Sequence, residues 1–288
     1  MQEHTRAIED SIHIDKLPVP FSNVRNKGEQ IEKGKLVLDK NTIITPAAIG
    51  FFACLGISEI KVYSKPKVAI LVTGNELVKV GKKLPKGKIY ESNSVMLEAV
   101  LKEVGIKKTT VFRVKDNLKA TSKMVESCLA HFDVILISGG ISVGDYDFVK
   151  EALLQNGVEE LFYKINQKPG KPLFFGKKEE KLVFALPGNP ASSLTCFYVY
   201  ALPALKKRLG FTDIHLPKMN RKINTAYTNN SGKTLFLKGF YDGDCVTVLE
   251  SQSSAMLNTF AVANCFIYVP HIVVDIQENQ EIQIIPFN

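Results

Sequence analysis

Apolar and polar positions repeat with two different periods along this chain, and the changes of period divide it into three segments. From about 67 to 209, short apolar runs bounded by turn residues read as buried strands: VAILVT (68–73), DVILIS (133–138) and KLVFAL (181–186). Between them, SNSVMLEAVLKEVG (92–105), NLKATSKMVESCLA (117–130) and YDFVKEALLQNG (146–157) carry a helical period, with Gly105 and Gly157 placed to end two of them. KTTVFRV (108–114), LFYKI (161–165) and PLFFG (172–176) add further strands, and a last helix runs from Pro190 to Arg208. Alternation of this kind predicts an α/β domain over 65–211, a mostly parallel sheet with helices on both faces.

The flanks differ. Residues 1–64 form a partial β-rich or linker segment. It has β-like stretches such as KLVL (35–38) and one helix over about 46–55, with Thr45 as cap, Pro46 at the first helical position and Gly56 as stop. Over 212–288 helical periodicity disappears, and TLFLKGF, CVTVLE, CFIYVP and EIQIIPF predict a small C-terminal all-β domain. No internal repeat links the segments.

Composition is ordinary for a globular protein, with 45% hydrophobic and 23% charged residues in 288. The first fifteen residues are too charged for a secretory signal, and no apolar run approaches the roughly 20 residues that span a bilayer. A soluble cytoplasmic protein without membrane contact is expected. Five cysteines without a CxxC pair read as reduced, buried small hydrophobes, and five scattered histidines make no zinc spacing. The net charge of +8 and pI near 9.1 favour an anionic partner. Nucleic acid is disfavoured, because aromatic and basic residues are not interleaved on any strand and there is no basic recognition helix. Lys82, Lys83, Lys86 and Lys88 read as a solvated face.

Ligands of open α/β sheets bind at the carboxyl ends of strands, so the loops there are where chemistry is expected. TGNEL (73–77) supplies Thr73, Gly74 and Glu76, and the next strand runs into Asp116. SGGISVGDYD (138–147) supplies Ser138, Gly139, Gly140, Ser142 and Gly144, with glycines where backbone can approach a ligand. Asp147 follows at a helix start, where a cap is the plain alternative role. LPGNP supplies Pro187, Gly188, Asn189 and Pro190 at the start of a helix whose outward N–H groups would suit phosphate; a tight turn with a cap is the alternative. KINQKPGKP (164–172) presents Lys164, Lys168 and Lys171 on an exposed turn, a set suited to a multiply charged oxyanion unless each lysine is merely solvated. Glu76, Asp116 and Asp147, on three converging loops, could hold a hard cation such as Mg²⁺.

TGNEL, GKIYESNS, SGGISVGDYD, KPGKP and LPGNP, in this order and spacing, resemble the molybdopterin-binding domain of molybdopterin molybdotransferases, the family that includes the gephyrin E domain. VRNKGEQIEKGKLVL with TPAAIGFFACLGI resembles that family's preceding segment, and SSAMLNTFAVANCFIYVP its C-terminal β domain. The resemblance implies that adenylylated molybdopterin and molybdate are the substrates, that molybdate enters the dithiolene, and that AMP leaves with Mg²⁺ assistance. It makes Glu76, Asp116 and Asp147 the acidic site residues and Lys164 and Lys168 the basic pair. Pro187 and Pro190 become the loop prolines, and Ser254 a C-terminal-domain serine beside the site. A pterin that brings its own sulfur ligands needs no protein cysteine cluster.

Two departures stand out. Asn75 replaces the family's usual Asp, and a DNSAMDGYA-type N-terminal motif with a further acidic residue has no counterpart. A truncated product, half of a split enzyme or a binding-only pterin module is therefore expected as well as an active transferase. Family members pair, so a homodimer is one expected assembly. Molybdopterin adenylyltransferases and competence-damage-type nucleotide pyrophosphatases share the α/β domain, but their glycine loops read SGG-T-G or GGLGPT where this chain has GGISVG.

Overall fold

The computed structural model of the chain describes residues 2–17, 19–141 and 147–287, in two compact units, Met1–Phe51 and Phe52–Asn288. In the first, strands β1 (Thr5–Ile8) and β2 (Ser11–Ile14) form an antiparallel hairpin that the hydrophobic pattern does not announce. Arg6 and Asp15 clamp it at 2.6 Å. The β-like KLVL stretch forms no strand, since no neighbouring strand satisfies its backbone groups. Helix α1 (Pro46–Cys54) starts as expected, with the Ala48 N–H donating to Thr45 Oγ1 at 3.2 Å. Ala48 is the unit's one buried residue among those described.

The second unit begins with β3 (Val68–Thr73), β4 (Leu77–Val78), β5 (Ile89–Tyr90), α2 (Asn93–Glu103), β6 (Thr109–Val114), α3 (Leu118–His131), β7 (Val134–Ser138) and α4 (Phe148–Gln155). It continues with β8 (Glu159–Tyr163), β9 (Gln167–Lys168), β10 (Phe174–Lys178), β11 (Lys181–Leu186), α5 (Pro190–Cys196) and α6 (Leu202–Arg208). The sheet order is β6-β3-β7-β11-β10-β8, with the first four strands parallel and β10 antiparallel to both of its neighbours, β11 and β8. Alternate residues of β3 and β7 face opposite helix layers. Ile70, Val72 and Leu136 pack with Leu97, Leu101 and Phe197, whereas Leu71, Ile135 and Ile137 pack with Val125, Leu129 and Leu153. Burial on both faces is why these strands read as unbroken apolar runs.

The helix expected over 190–208 is continuous but not uniform, because Phe197–Ala201 is a π-helical turn between α5 and α6. Pro203 has no N–H to donate and its ring crowds the preceding turn, and the wider turn accommodates both.

The chain then forms β12 (Met219–Ile223), β13 (Tyr227–Thr228), β14 (Thr234–Tyr241), β15 (Cys245–Val248), β16 (Cys265–Val269), β17 (Asp275–Ile276) and β18 (Glu281–Pro286). Strands β15, β12, β18, β16 and β14 close into a ring, because β15 also pairs with β14. The α/β layer contributes to this sheet: β9 pairs with β14 in parallel, Gln167 opposite Thr234 and Lys168 opposite Leu235. Phe266 of the barrel is fully buried against Phe287, Phe260 and Phe236, and against Tyr198 of the helical layer at a ring-centroid distance of 6.2 Å.

Burial of the thiols is uneven. Cys128, Cys196 and Cys265 are buried as expected, but Cys54 is exposed and Cys245 half-buried, because each lies on an element with one face open to solvent. Among the described residues, no helix is long and apolar enough to cross a membrane.

Since one apolar cluster contains residues of both the sheet and the barrel, Phe266→Ala should cost about 3–5 kcal/mol. It should also leave residues 52–287 unfolding in a single transition, measurable by urea denaturation followed by circular dichroism.

Candidate active site

Parallel register brings four strand ends together: Leu186 lies opposite Ser138, Ser138 opposite Val72, and Thr73 opposite Val114. The loops leaving these ends, joined by the lysine turn and by residues 252–255, surround a cleft of about 1070 Å³. Glycine is required on its floor. Gly139 and Gly140 have φ of 88° and 67°. A Cβ on Gly139 would stand 2.6 Å from the Thr73 carbonyl oxygen, and one on Gly140 2.5 Å from Val149.

Most of the residues expected from sequence meet here. Thr73, Gly74 and Glu76 line the cleft with Asp116, and Ser138, Gly139 and Gly140 lie beside Pro187, Gly188, Asn189 and Pro190. Lys168, Lys171 and Ser254 also face it. Ser142 and Gly144 lie outside the described residues. Lys164 is not part of the lining; its ammonium sits 5.0 Å from the Tyr163 ring centroid. Lys168 and Lys171, separated by Pro169 and Gly170, both border the cleft.

The expected three-carboxylate set is not assembled. Glu76 and Asp116 line the cleft, but the Asp147 carboxylate caps α4, accepting from the Lys150 N–H at 2.9 Å and from the Tyr163 hydroxyl at 2.6 Å. Burial first, and the bond to Asp147 second, raise the Tyr163 pKa, so the phenol stays a donor. Among the described residues no three Asp, Glu, His or Cys side chains converge as a metal site.

The LPGNP expectation is also corrected. The first N–H groups of α5 do not point into open space, because those of Ala191 and Ser192 donate to the Ser254 carbonyl at 3.0 and 3.4 Å. The Asn189 amide donates to Ser254 Oγ at 2.9 Å instead of capping the helix. Docking of the barrel loop therefore takes the donors that a phosphate would use.

Sequence reasoning missed several participants. Asn93 donates to both Ser138 Oγ (2.7 Å) and the Gly188 carbonyl (2.8 Å), tying two loops to the start of α2. Its Oδ1, like Thr73 Oγ1, is buried with no partner among the described residues. Glu91, 2% exposed, accepts from the Ser94 N–H at 2.7 Å and anchors the same helix end. Lys233, which arrives with the barrel, adds a third ammonium to the lining. Lys88 is not merely solvated, since it donates to the Asn75 carbonyl at 2.7 Å and steadies TGNEL. Asn75 Oδ1 accepts from the Asp116 N–H at 3.4 Å, so the residue that departs from the family pattern links two of the loops. Of these, Lys88, Glu91 and Asn93 lie within GKIYESNS and Asn75 within TGNEL, but nothing local in the chain marks their partners.

The lysine turn is fastened from behind. Gln167 is buried, donating to the Pro169 carbonyl at 2.8 Å and accepting from the Tyr200 hydroxyl at 2.7 Å. Gly170, at φ 96°, lies against Cys196, whose Sγ would be 2.5 Å from an added Cβ.

Comparison with known proteins places the chain in a family. Residues 69–207 match the family described as "Probable molybdopterin binding domain", residues 220–287 the "MoeA C-terminal region (domain IV)", and residues 1–56 the "MoeA N-terminal region (domain I and II)". A molybdopterin molybdenumtransferase of Haemophilus influenzae is 35% identical over all of this chain and 73% of its own length. The chain belongs to the molybdopterin molybdenumtransferase family. A second member, molybdopterin molybdenumtransferase 2 of Mycobacterium tuberculosis, is 31% identical over 96% of the chain and 70% of itself. A crystal structure of a molybdopterin biosynthesis MoeA protein from Pyrococcus horikoshii superposes with a TM-score of 0.82 at 28% identity, over 99% of this chain and 71% of that one. This family member is an enzyme of molybdenum cofactor biosynthesis. Matches on both sides of the α/β domain separate it from the adenylyltransferase and pyrophosphatase readings, which rest on that domain alone.

Gly170→Ala should destabilise the protein by about 1–3 kcal/mol, from left-handed backbone strain and the clash with Cys196. Denaturant unfolding measures the loss.

Proposed function

We propose that the cleft binds adenylylated molybdopterin, that molybdate is placed on its dithiolene there, and that AMP is released. One observation carries the reading: Lys168, Lys171 and Lys233 face the same space as a glycine floor that admits a ligand to the backbone. Ammonium groups on that wall suit molybdate and phosphate oxygens, which are multiply charged acceptors. Gly139, Gly140 and Gly188 leave room for a flat heterocycle against the main chain, and the Asn93 and Thr73 oxygens, without a partner among the described residues, retain hydrogen-bonding capacity beside it. Glu76 and Asp116 also line the cleft, and an anion is repelled by them and attracted by the lysines. Two carboxylates line the cleft, fewer than the cation site first expected.

The test is AMP release from adenylylated molybdopterin by the purified chain, followed chromatographically with and without molybdate. Molybdate-stimulated release is the expected result; release indifferent to molybdate would sink the reading. Lys168→Ala and Lys171→Ala should each raise KM by about tenfold or more, from loss of a charged hydrogen bond. Lys164→Ala should stay within about twofold, as expected of an exposed charge outside the lining.

A further inference from the structure

We infer that Lys238 is a positioning residue for this cleft: through the loop at 250–256 it sets the place of Ser254 on the cleft wall. The inference rests on the function proposed above. Lys238 stands in the middle of β14 and is 3% exposed. Its ammonium donates to the carbonyls of Ser251 (2.8 Å), Ser253 (3.2 Å) and Met256 (3.4 Å). An ammonium has three donors, and here all three meet carbonyls of a single loop.

The main chain of the same residue grips the loop as well. The Lys238 N–H donates to Gln252 Oε1 at 2.9 Å, and Gln252 Nε2 donates back to the Lys238 carbonyl at 2.9 Å. Gln252 thereby completes a strand edge with its side chain. The Thr259 hydroxyl donates to the Glu250 and Ser251 carbonyls and closes the far side of the loop. Ser251 is held at φ 58°, a left-handed conformation that a serine adopts only when its surroundings impose it.

What the loop delivers is the Ser254 carbonyl, the acceptor for the Ala191 and Ser192 N–H groups, and Ser254 Oγ, the acceptor for Asn189. Ser253, Ser254 and Ala255 line the cleft, and Lys238 does not. Its influence on a bound substrate is therefore indirect, exerted through Ser254. A lysine that only filled the barrel would not need three converging carbonyls, and methionine of similar volume would replace it.

Lys238→Met in the full chain tests this with two readouts. The first is hydrogen exchange of the Ala191 and Ser192 amides, read by mass spectrometry on a peptide covering 184–196, in which both amides are internal; it should become at least about tenfold faster. The second is the steady-state rate of AMP release well below Tm. KM for adenylylated molybdopterin should rise by about tenfold while kcat changes by less than about twofold, a tenfold change being about 1.4 kcal/mol. Lys238→Arg, which keeps charged donors, should restore most of both.

A lower Tm with unchanged exchange at 191 and 192 and unchanged KM would overturn the inference and leave Lys238 a filler of the barrel. If Lys238→Met does not fold, Lys238→Gln is read by the same two measurements with the same outcomes. A wild-type chain that released no AMP would count against the proposed function alone, since the exchange readout needs no turnover.

Discussion

The lysine turn leaves one sheet to pair with another, and the cleft depends on that. Residues 167 and 168 leave the α/β layer to pair with β14 of the barrel, while Gln167 remains bonded to Tyr200 in the helical layer behind. Lys168 and Lys171 are therefore held by main-chain pairing on one side and a buried carboxamide on the other. Three donors on flexible stems lose less entropy on binding an anion when their backbone is already fixed. The same pairing brings Lys233, one residue before β14, to the third corner.

A second contact completes the wall. The Ser254 carbonyl sits at the N-terminus of α5, where the helix dipole and exposed N–H groups favour a partial negative charge. A backbone carbonyl from the barrel plays the part that phosphate plays at many such helix ends. Cleft charge therefore comes from side chains, lysines and carboxylates, rather than from helix termini. Burial lowers the pKa of Lys238, and the three carbonyl acceptors offset the desolvation.

Asp147 shows how one loop can be spoken for before any ligand arrives. Its carboxylate has a backbone donor and a phenol donor, both from the protein, and Lys150 adds an ion pair to Glu160 at 2.8 Å beside the same ring. Each of its two oxygens accepts one of these donors, which fixes the carboxylate at the start of α4. Glu76 and Asp116 are both exposed.

The sequence by itself determined the α/β layer, the β character of the C-terminal segment and the strand-end loops. Buried parallel strands must be continuous in apolar residues, helices must show a 3.6-residue period, and glycines mark places where a Cβ cannot fit, as at Gly139 and Gly140. It also placed the family, through motifs that are local in the chain. Only the tertiary structure decided which lysines face the cleft, that Asp147 is a cap, that Ser254 covers the start of α5, and that Lys233, Asn93 and Lys238 take part. Those outcomes depend on side-chain direction and on contacts such as Asn93 with Gly188, 95 residues apart. No periodicity along the chain encodes a partner that arrives only when two sheets pack together.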